Sequence, residues 1–182
     1  MIVTERLTLV PATVATVRAA LESPEALATA LGAVVPAGWP PQFVDPPALE
    51  FTLARLDAGL EQTGWWMYFV LLPGDGARPT LVGSAGYKGP PSADGTVELG
   101  YGIVSVYQRR GFASEATRGM VARAFRFPAV RRVIAETLPE LTPSIGVLQK
   151  CGFRLIGEGS EPGVIRFEIT RAEHAAATGG AT

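Results

Sequence analysis

The sequence predicts a mixed α/β (α+β) fold built on one largely antiparallel sheet of six or seven strands, and three observations carry that reading. Short alternating apolar segments suited to strands recur from residue 6 to residue 170. Their order with the helical segments is strand, helices, an antiparallel run of strands, helix, strand, helix and a closing hairpin, which is no regular βαβ array. The chain also has 182 residues, 47% of them hydrophobic and 18% charged. That is enough apolar material for one domain to bury a core without disulfides or metal.

Each element has a local reason. Arg6 to Val10 reads as a strand, because Leu7 and Leu9 alternate with polar neighbours. Val14 to Leu31 is rich in Ala and Leu and reads as helix, broken near Ser23-Pro24. Gly32 to Pro47 is a Pro-rich loop around Trp39. Asp45-Pro46 suits a helix start, with the helix running from Pro47 to Glu61. Trp66 to Leu72 and Leu81 to Tyr87 read as strands joined by a turn over Pro73 to Pro79. Asp94-Gly95 marks a hairpin turn into the strand Thr96 to Val104. Ala113 to Phe127 reads as a helix, its apolar stripe made by Ala113, Ala116, Met120, Ala124 and Phe127. Val130 to Thr137 is the next strand. Pro143 to Cys151 follows as a helix, with Thr142 as its N-cap and Gly152 past its end. Strands Phe153 to Gly157 and Val164 to Thr170 close the fold. Residues 1–171 are read as one domain, and 172–182 as a small, polar tail expected to fray.

Composition excludes several functions. There are 16 Lys plus Arg against 17 Asp plus Glu, a net charge of −1. Nonspecific nucleic-acid binding needs a surplus of positive charge, so nucleic acid is not the expected partner. The one cysteine, Cys151, and the one histidine, His174, leave no multi-ligand zinc site, and no metal is expected. No apolar run approaches the roughly 20 residues of a membrane span, and no signal peptide is visible, so a cytoplasmic protein without a membrane partner is expected.

The chemistry concentrates between residues 97 and 114. Strand alternation puts Val97, Leu99, Tyr101 and Ile103 on one face and Glu98, Gly100 and Gly102 on the other. A carboxylate beside two missing side chains suggests a shallow trench with an acid at one end. A solvated face, or glycines packed under a helix, is the alternative. Then Gln108-Arg-Arg-Gly-Phe-Ala113 runs straight into a helix. A helix start offers unpaired N–H groups and the positive end of the dipole. Gly111 lets a ligand approach the backbone, and Arg109 and Arg110 supply charge suited to phosphate. Together they suit a pyrophosphate. Two solvated arginines in a loop are the alternative.

These residues also carry a resemblance. Gln108-Arg-Arg-Gly-Phe-Ala113, followed by Ser114-Glu115-Ala116, resembles the Q/R-x-x-G-x-G/A acetyl-CoA motif of the GCN5-related N-acetyltransferases (GNAT). Glu98-Leu-Gly-Tyr101 is similar to the strand leading into that motif. Ser144-Ile-Gly-Val-Leu-Gln-Lys-Cys-Gly-Phe153 resembles the later S-I-x-V-L-E-K-x-G-F segment. Thr4-Glu-Arg-Leu-Thr-Leu9 resembles the first strand of the branch containing ribosomal-protein N-terminal acetyltransferases. The resemblance spans residues 4 to 171. It implies an acyl-CoA N-acyltransferase-like sheet with helices on both faces. Its parallel central strands, 97–104 and 130–137, would splay at their C-terminal ends to admit the cofactor. Backbone groups of Ile103, Val104 and Ser105 would pair with the pantetheine arm. The motif of Gln108, Arg109, Arg110, Gly111, Phe112, Ala113 and Ser114 would bind the cofactor, its N–H groups from Arg109 onward holding the pyrophosphate. Leu141 stands where many relatives carry an asparagine that contacts the cofactor.

The implied reaction is acetyl transfer from acetyl-CoA, as cosubstrate, to a primary amine by direct attack in a ternary complex. The acceptor is a protein N-terminus or a small molecule. An α-amine near pKa 8 is neutral to about a tenth at pH 7, a lysine-like amine near 10.4 to well under a thousandth. Glu98 is therefore the candidate base, directly or through water, or else a group that binds the substrate cation. Ser144 is the candidate acid toward the leaving thiolate, or else a local helix cap. Cys151, at a helix end beside apolar neighbours, reads as a small buried hydrophobe rather than a nucleophile. Trp39 suits either a lid on the acceptor pocket or a loop anchor. His174 reads as a solvated tail residue, and Glu158 and Glu161 as turn charges. Exposed apolar strands near the C-terminus offer a surface for pairing in a homodimer. The rival reading is a non-catalytic acyl-CoA-binding sensor or interaction module.

Overall fold

The computed structural model describes residues 1–42, 44–59, 64–74 and 76–179. The chain runs β1 (Ile2–Val3), β2 (Thr8–Pro11), α1 (Val14–Glu22), α2 (Pro24–Leu31), α3 (Pro46–Asp57), β3 (Met67–Leu72), β4 (Thr80–Tyr87) and β5 (Thr96–Ile103). It continues with α4 (Phe112–Phe125), β6 (Arg132–Thr137), α5 (Thr142–Lys150), β7 (Arg154–Glu158), β8 (Ile165–Thr170) and α6 (Arg171–Gly179). The strands form one sheet in the order β1-β2-β3-β4-β5-β6-β8-β7. Every neighbouring pair is antiparallel except β5–β6, which is parallel. The sheet thus has eight strands rather than six or seven. The additional one is β1, whose Ile2 and Val3 pair with Leu9 and Thr8; two residues are too few to show an alternation.

The helix boundaries follow from capping. Thr13 and Thr16 form a reciprocal capping box at the start of α1. Ser23 ends α1, and its hydroxyl accepts the Ala26 N–H to start α2, with Pro24 in the first turn. This is the break expected at Ser23-Pro24. Asp45 caps α3 through the Ala48 N–H. The helix ends at Asp57 with Ala58 as its C-cap, short of the expected Glu61, which itself lies outside the described residues. Helix α5 departs from expectation: it starts one residue early, so Thr142 is inside it and Leu141 occupies the cap position without a side-chain bond. The cause is a tight turn there, in which Leu141 N–H donates to Leu138 O and Thr142 N–H to Glu140 O.

Helix α4 packs its Ala116, Met120 and Ala124 against the sheet with no exposed surface. Two alanines let the helix approach closely, and full burial of a Met side chain stabilises by about 1.5–3 kcal/mol. Tyr87 of β4 fixes the contact, donating its buried hydroxyl to Met120 O at 2.6 Å. Phe127, the last residue of the expected stripe, lies beyond the helix and is exposed. At the other edge, β7 is exposed along its length. No helix among the described residues is long and apolar enough to cross a membrane.

The expected frayed tail is instead helical from Arg171 to Gly179. Thr170 and Glu173 cap it reciprocally: Thr170 N–H donates to Glu173 Oε2 at 2.7 Å, and Glu173 N–H to Thr170 Oγ1 at 3.3 Å. The Arg171 guanidinium docks it by donating to the carbonyls of Phe125, Phe127 and Val130. His174 is not solvated as expected; it stacks on Phe125 at 5.0 Å, and burial lowers its pKa.

Candidate functional site

Strand β5 pairs with β6 only through Thr96, Val97 and Glu98, and beyond Glu98–Ile134 the two strands diverge. Lys88 N–H donates to Glu98 O and Val104 N–H to Val82 O. Antiparallel alternation therefore turns the backbone groups of Glu98, Gly100, Gly102 and Val104 toward β4. Those of Tyr101 and Ile103 turn toward the fork that opens between β5 and β6. An exposed strand edge of this kind pairs readily with an extended ligand carrying amides.

This geometry corrects the expected pairing over Ile103 to Ser105. Val104 N–H is held by Val82 O, and Val104 O by the Tyr107 N–H. Ser105 O accepts the Gln108 N–H in the 3₁₀ turn Ser105–Tyr107. Ile103 O accepts the Gln108 side-chain amide at 2.9 Å. The edge groups that face the fork are those of Tyr101 and the Ile103 N–H, two residues upstream.

The fork leads to the start of α4. Gly111 is its N-cap, left-handed at φ 84°, and Arg109 is also left-handed at φ 61°. Positive and negative φ thus alternate through Arg109, Arg110 and Gly111, a backbone form that curls successive N–H groups into an anion-binding concavity. The N–H groups of Phe112, Ala113 and Ser114 lie in the first turn, where no carbonyl of the helix reaches them. Arg109, Arg110 and Gly111 are exposed, whereas the Phe112 ring is buried. The guanidinium groups of Arg6 and Arg110 both lie over it, at 4.8 Å and 4.9 Å. Helix dipole, free N–H groups and two arginines together suit a pyrophosphate.

A brace not anticipated from the sequence holds this loop. The carboxylate of Glu115, in the first turn of α4, accepts from Thr4 Oγ1 at 2.6 Å, Arg6 N–H at 2.7 Å and Arg6 Nε at 2.7 Å. Burial pushes the Glu115 pKa up, but these bonds outweigh it and hold the carboxyl below its usual value. Arg6 also donates to Arg110 O at 3.0 Å. The segment Thr4–Leu9 thus ties β1 and β2 to the start of α4.

Across the fork, the Tyr101 hydroxyl meets Ser144 of α5, with its oxygen 3.1 Å from Ser144 O and 3.2 Å from Ser144 Oγ. Burial raises the Tyr101 pKa to about 12, so the phenol stays protonated at neutral pH. The sequence marked Ser144 but not its partner, because Tyr101 read as a core residue. Leu141 supplies only backbone here, its carbonyl accepting the Ser144 and Ile145 N–H groups.

The face of β5 opposite Tyr87 and Leu99 carries a cup of about 410 Å³ over β4 and β5. Its floor includes Ser84 and Gly100, and its walls Val44, Leu49, Phe51 and Trp66. A Cβ on Gly100 would meet nothing within 4 Å, whereas one on Gly102 would lie 3.2 Å from Gln42 O. The expected trench is therefore open at Gly100 and roofed at Gly102. Glu98 stands at its end, at the point of the fork, in an ion pair with Lys88. Trp39 lines no part of the cup; it anchors its loop against Phe69 at 6.0 Å.

Other polar groups are committed elsewhere. Glu136, near the end of β6, accepts from Ser160 and Arg166, which hold its carboxyl below the usual range although burial opposes them. Burial pushes the Cys151 thiol up, which disfavours the nucleophilic thiolate. Among the described residues, no three or more His, Cys, Asp or Glu side chains are grouped to hold a metal ion.

Residues 6–154 match the family model described as the acetyltransferase (GNAT) domain. The chain is 28% identical over 103 residues to the uncharacterized N-acetyltransferase p20 of Bacillus licheniformis, covering 52% of this chain and 58% of that protein. It is 37% identical over 62 residues to YnaD of Bacillus subtilis, also an uncharacterized N-acetyltransferase, covering 34% of this chain and 36% of that one. The alignment thus spans less than two thirds of either relative. Among solved structures, an aminoglycoside acetyltransferase in complex with coenzyme A superposes with TM-score 0.65 at 19% identity, covering 94% of this chain and 99% of that one. A protein from Vibrio cholerae assigned as a ribosomal-protein-serine acetyltransferase gives 0.64 at 22% identity, covering 93% and 96%. At these identities the likeness is one of fold.

Proposed function

The chain belongs to the GNAT acetyltransferase family, and on that premise we propose that it transfers the acetyl group of acetyl-CoA to a primary amine by direct attack. One observation carries the reading: the fork exposes backbone groups of Tyr101 and Ile103 and leads to the concavity at Arg109–Gly111 and the free N–H groups of α4. The donor set fits the cosubstrate part by part. Strand-edge groups suit the amides of the pantetheine arm, and the helix start with Arg109 and Arg110 suits the pyrophosphate. Bound acetyl-CoA supplies an acyl carbon already activated as a thioester.

The chain's own residues supply binding and proton transfer. Gly111 and the first turn of α4 fix the phosphates with little side-chain reorganisation, which favours a preorganised site. Glu98, at the point of the fork, accepts the amine proton directly or through water once Lys88 yields its place. The Tyr101 hydroxyl, with Ser144 beside it, donates a hydrogen bond or a proton to the departing sulfur. Nucleophilic attack by the amine needs no acyl-enzyme, and Cys151 takes no part.

The test is thermal stability with and without acetyl-CoA, followed by thiol release with amines. A ligand at 100 times its Kd adds about 2.7 kcal/mol to the folded state. Gly111→Ala should weaken that shift, because Ala in a left-handed position costs about 1–2 kcal/mol and its Cβ would press on Arg6 at 3.2 Å. Tyr101→Phe should lower kcat while leaving the acetyl-CoA shift intact. No shift at millimolar acetyl-CoA would overturn the proposal.

A further inference from the structure

Resting on the transferase reading above, we propose that the acceptor is a small primary monoamine carried on an aromatic or apolar body. The cup beside Glu98 holds about 410 Å³, toward the small end of the roughly 300–1,000 Å³ usual for small-molecule sites. Its walls are apolar, and among the described residues lining it there is no aspartate or glutamate. Lys88 is the charged side chain in the lining. A second cation, the Arg55 guanidinium, lies over the wall rings of Phe51 at 4.8 Å and Trp66 at 5.7 Å.

This distribution leaves a place for one ammonium group and no more. The first amine is drawn to Glu98 at the end of the cup, where it replaces Lys88 as the partner of the carboxylate. Every further ammonium of a polyamine or aminoglycoside would lose water against apolar walls without a lining carboxylate to meet it, and would face Lys88. Burying an unpaired charge is far costlier than burying a neutral group. An aromatic or aliphatic body gains instead, because its apolar surface leaves water against apolar walls. Phe51 and Trp66, edge to face at 5.6 Å, give it an aromatic wall. Ser84, on the floor, offers one hydroxyl for orientation.

The test compares 2-phenylethylamine, spermidine, kanamycin and a short peptide with a free α-amine in a thiol-release assay on the full chain. The acetyl-CoA melting shift is measured in parallel. The expected result is a kcat/KM for 2-phenylethylamine at least tenfold above each of the others. A Cβ at Gly100 would meet nothing within 4 Å, so Gly100→Val builds into the open floor of the cup. It should cut that value at least tenfold, mainly through KM, and leave the acetyl-CoA shift unchanged. Spermidine, kanamycin or the peptide matching 2-phenylethylamine would overturn the assignment, and so would a Gly100→Val variant as active as the parent. No turnover of 2-phenylethylamine with the acetyl-CoA shift present would overturn the acceptor class and leave the cofactor reading standing. Loss of that shift in the parent would overturn the transferase reading itself, and the acceptor class with it.

Discussion

Replacing Glu115 by glutamine tests whether the N-terminal strands hold the cofactor loop in place. The carboxylate accepts three hydrogen bonds, from Thr4 Oγ1, Arg6 N–H and Arg6 Nε. The glutamine oxygen keeps two of them as neutral-acceptor bonds, about half as strong as charge-assisted ones. Its NH₂ then faces the Arg6 Nε–H, donor against donor. A bond to a charged group contributes about 1.5–3 kcal/mol, but the Arg6 side chain is 44% exposed, so screening reduces its share to about 1 kcal/mol. Loss of the favourable carboxylate in the first turn of α4 adds about 0.3–1 kcal/mol. The sum is about 2 kcal/mol, or roughly 4–8 °C in Tm for a domain of this size. The loss should depend on pH with a definite sign. Glu115 titrates below its unfolded value in the native state, so its contribution is full above about pH 4.3 and is lost as pH falls through the folded pKa. Melts of parent and variant at pH 7 and pH 3.5 should therefore show a gap that narrows in acid. The Kd for acetyl-CoA should rise severalfold, because Arg6 also holds Arg110 O. A variant with the parent's Tm at pH 7 and the parent's affinity would refute the brace.

Three further outcomes follow from single contacts. Arg171→Ala removes the donors to Phe125, Phe127 and Val130 carbonyls and should cost about 2–3 kcal/mol, read as a Tm drop of roughly 4–12 °C; an unchanged melt would mean α6 is not docked by this residue. Cys151→Ala should retain acetyl transfer within about twofold, since burial disfavours the thiolate. Abolished turnover in a folded Cys151→Ala variant would establish an acyl-enzyme instead. Tyr87→Phe deletes the buried donor to Met120 O and should lower stability by about 1–2 kcal/mol in denaturant melts, with acetyl-CoA affinity preserved.

Local signals carried most of the elements. The Ser23-Pro24 break, the Asp45 cap and the small-residue stripe of α4 each act within a few residues of chain, and each is present in the fold. The α6 cap was equally local, since Thr170 and Glu173 have capping-box spacing, but the Ala-rich composition drew the reading toward a frayed tail. The β1 strand had no such signal, because its partner β2 defines it.

The sequence by itself determined the helix start just after Gly111, the two arginines before it and the alternation that sets Glu98 and Gly100 on one face of β5. These depend on backbone dihedrals and period alone. Only the tertiary structure decided what surrounds them. Tyr101 meets Ser144 across 43 positions of sequence, Glu115 meets Thr4 across 111, and α3 closes over Gly100 to make the cup. The strand that runs out of pairing after Glu98 likewise exposes Tyr101 and Ile103 because β6 turns to follow β8. Contacts between residues so far apart leave no periodic trace in either segment, since each side chain is selected by a neighbour that only folding brings near.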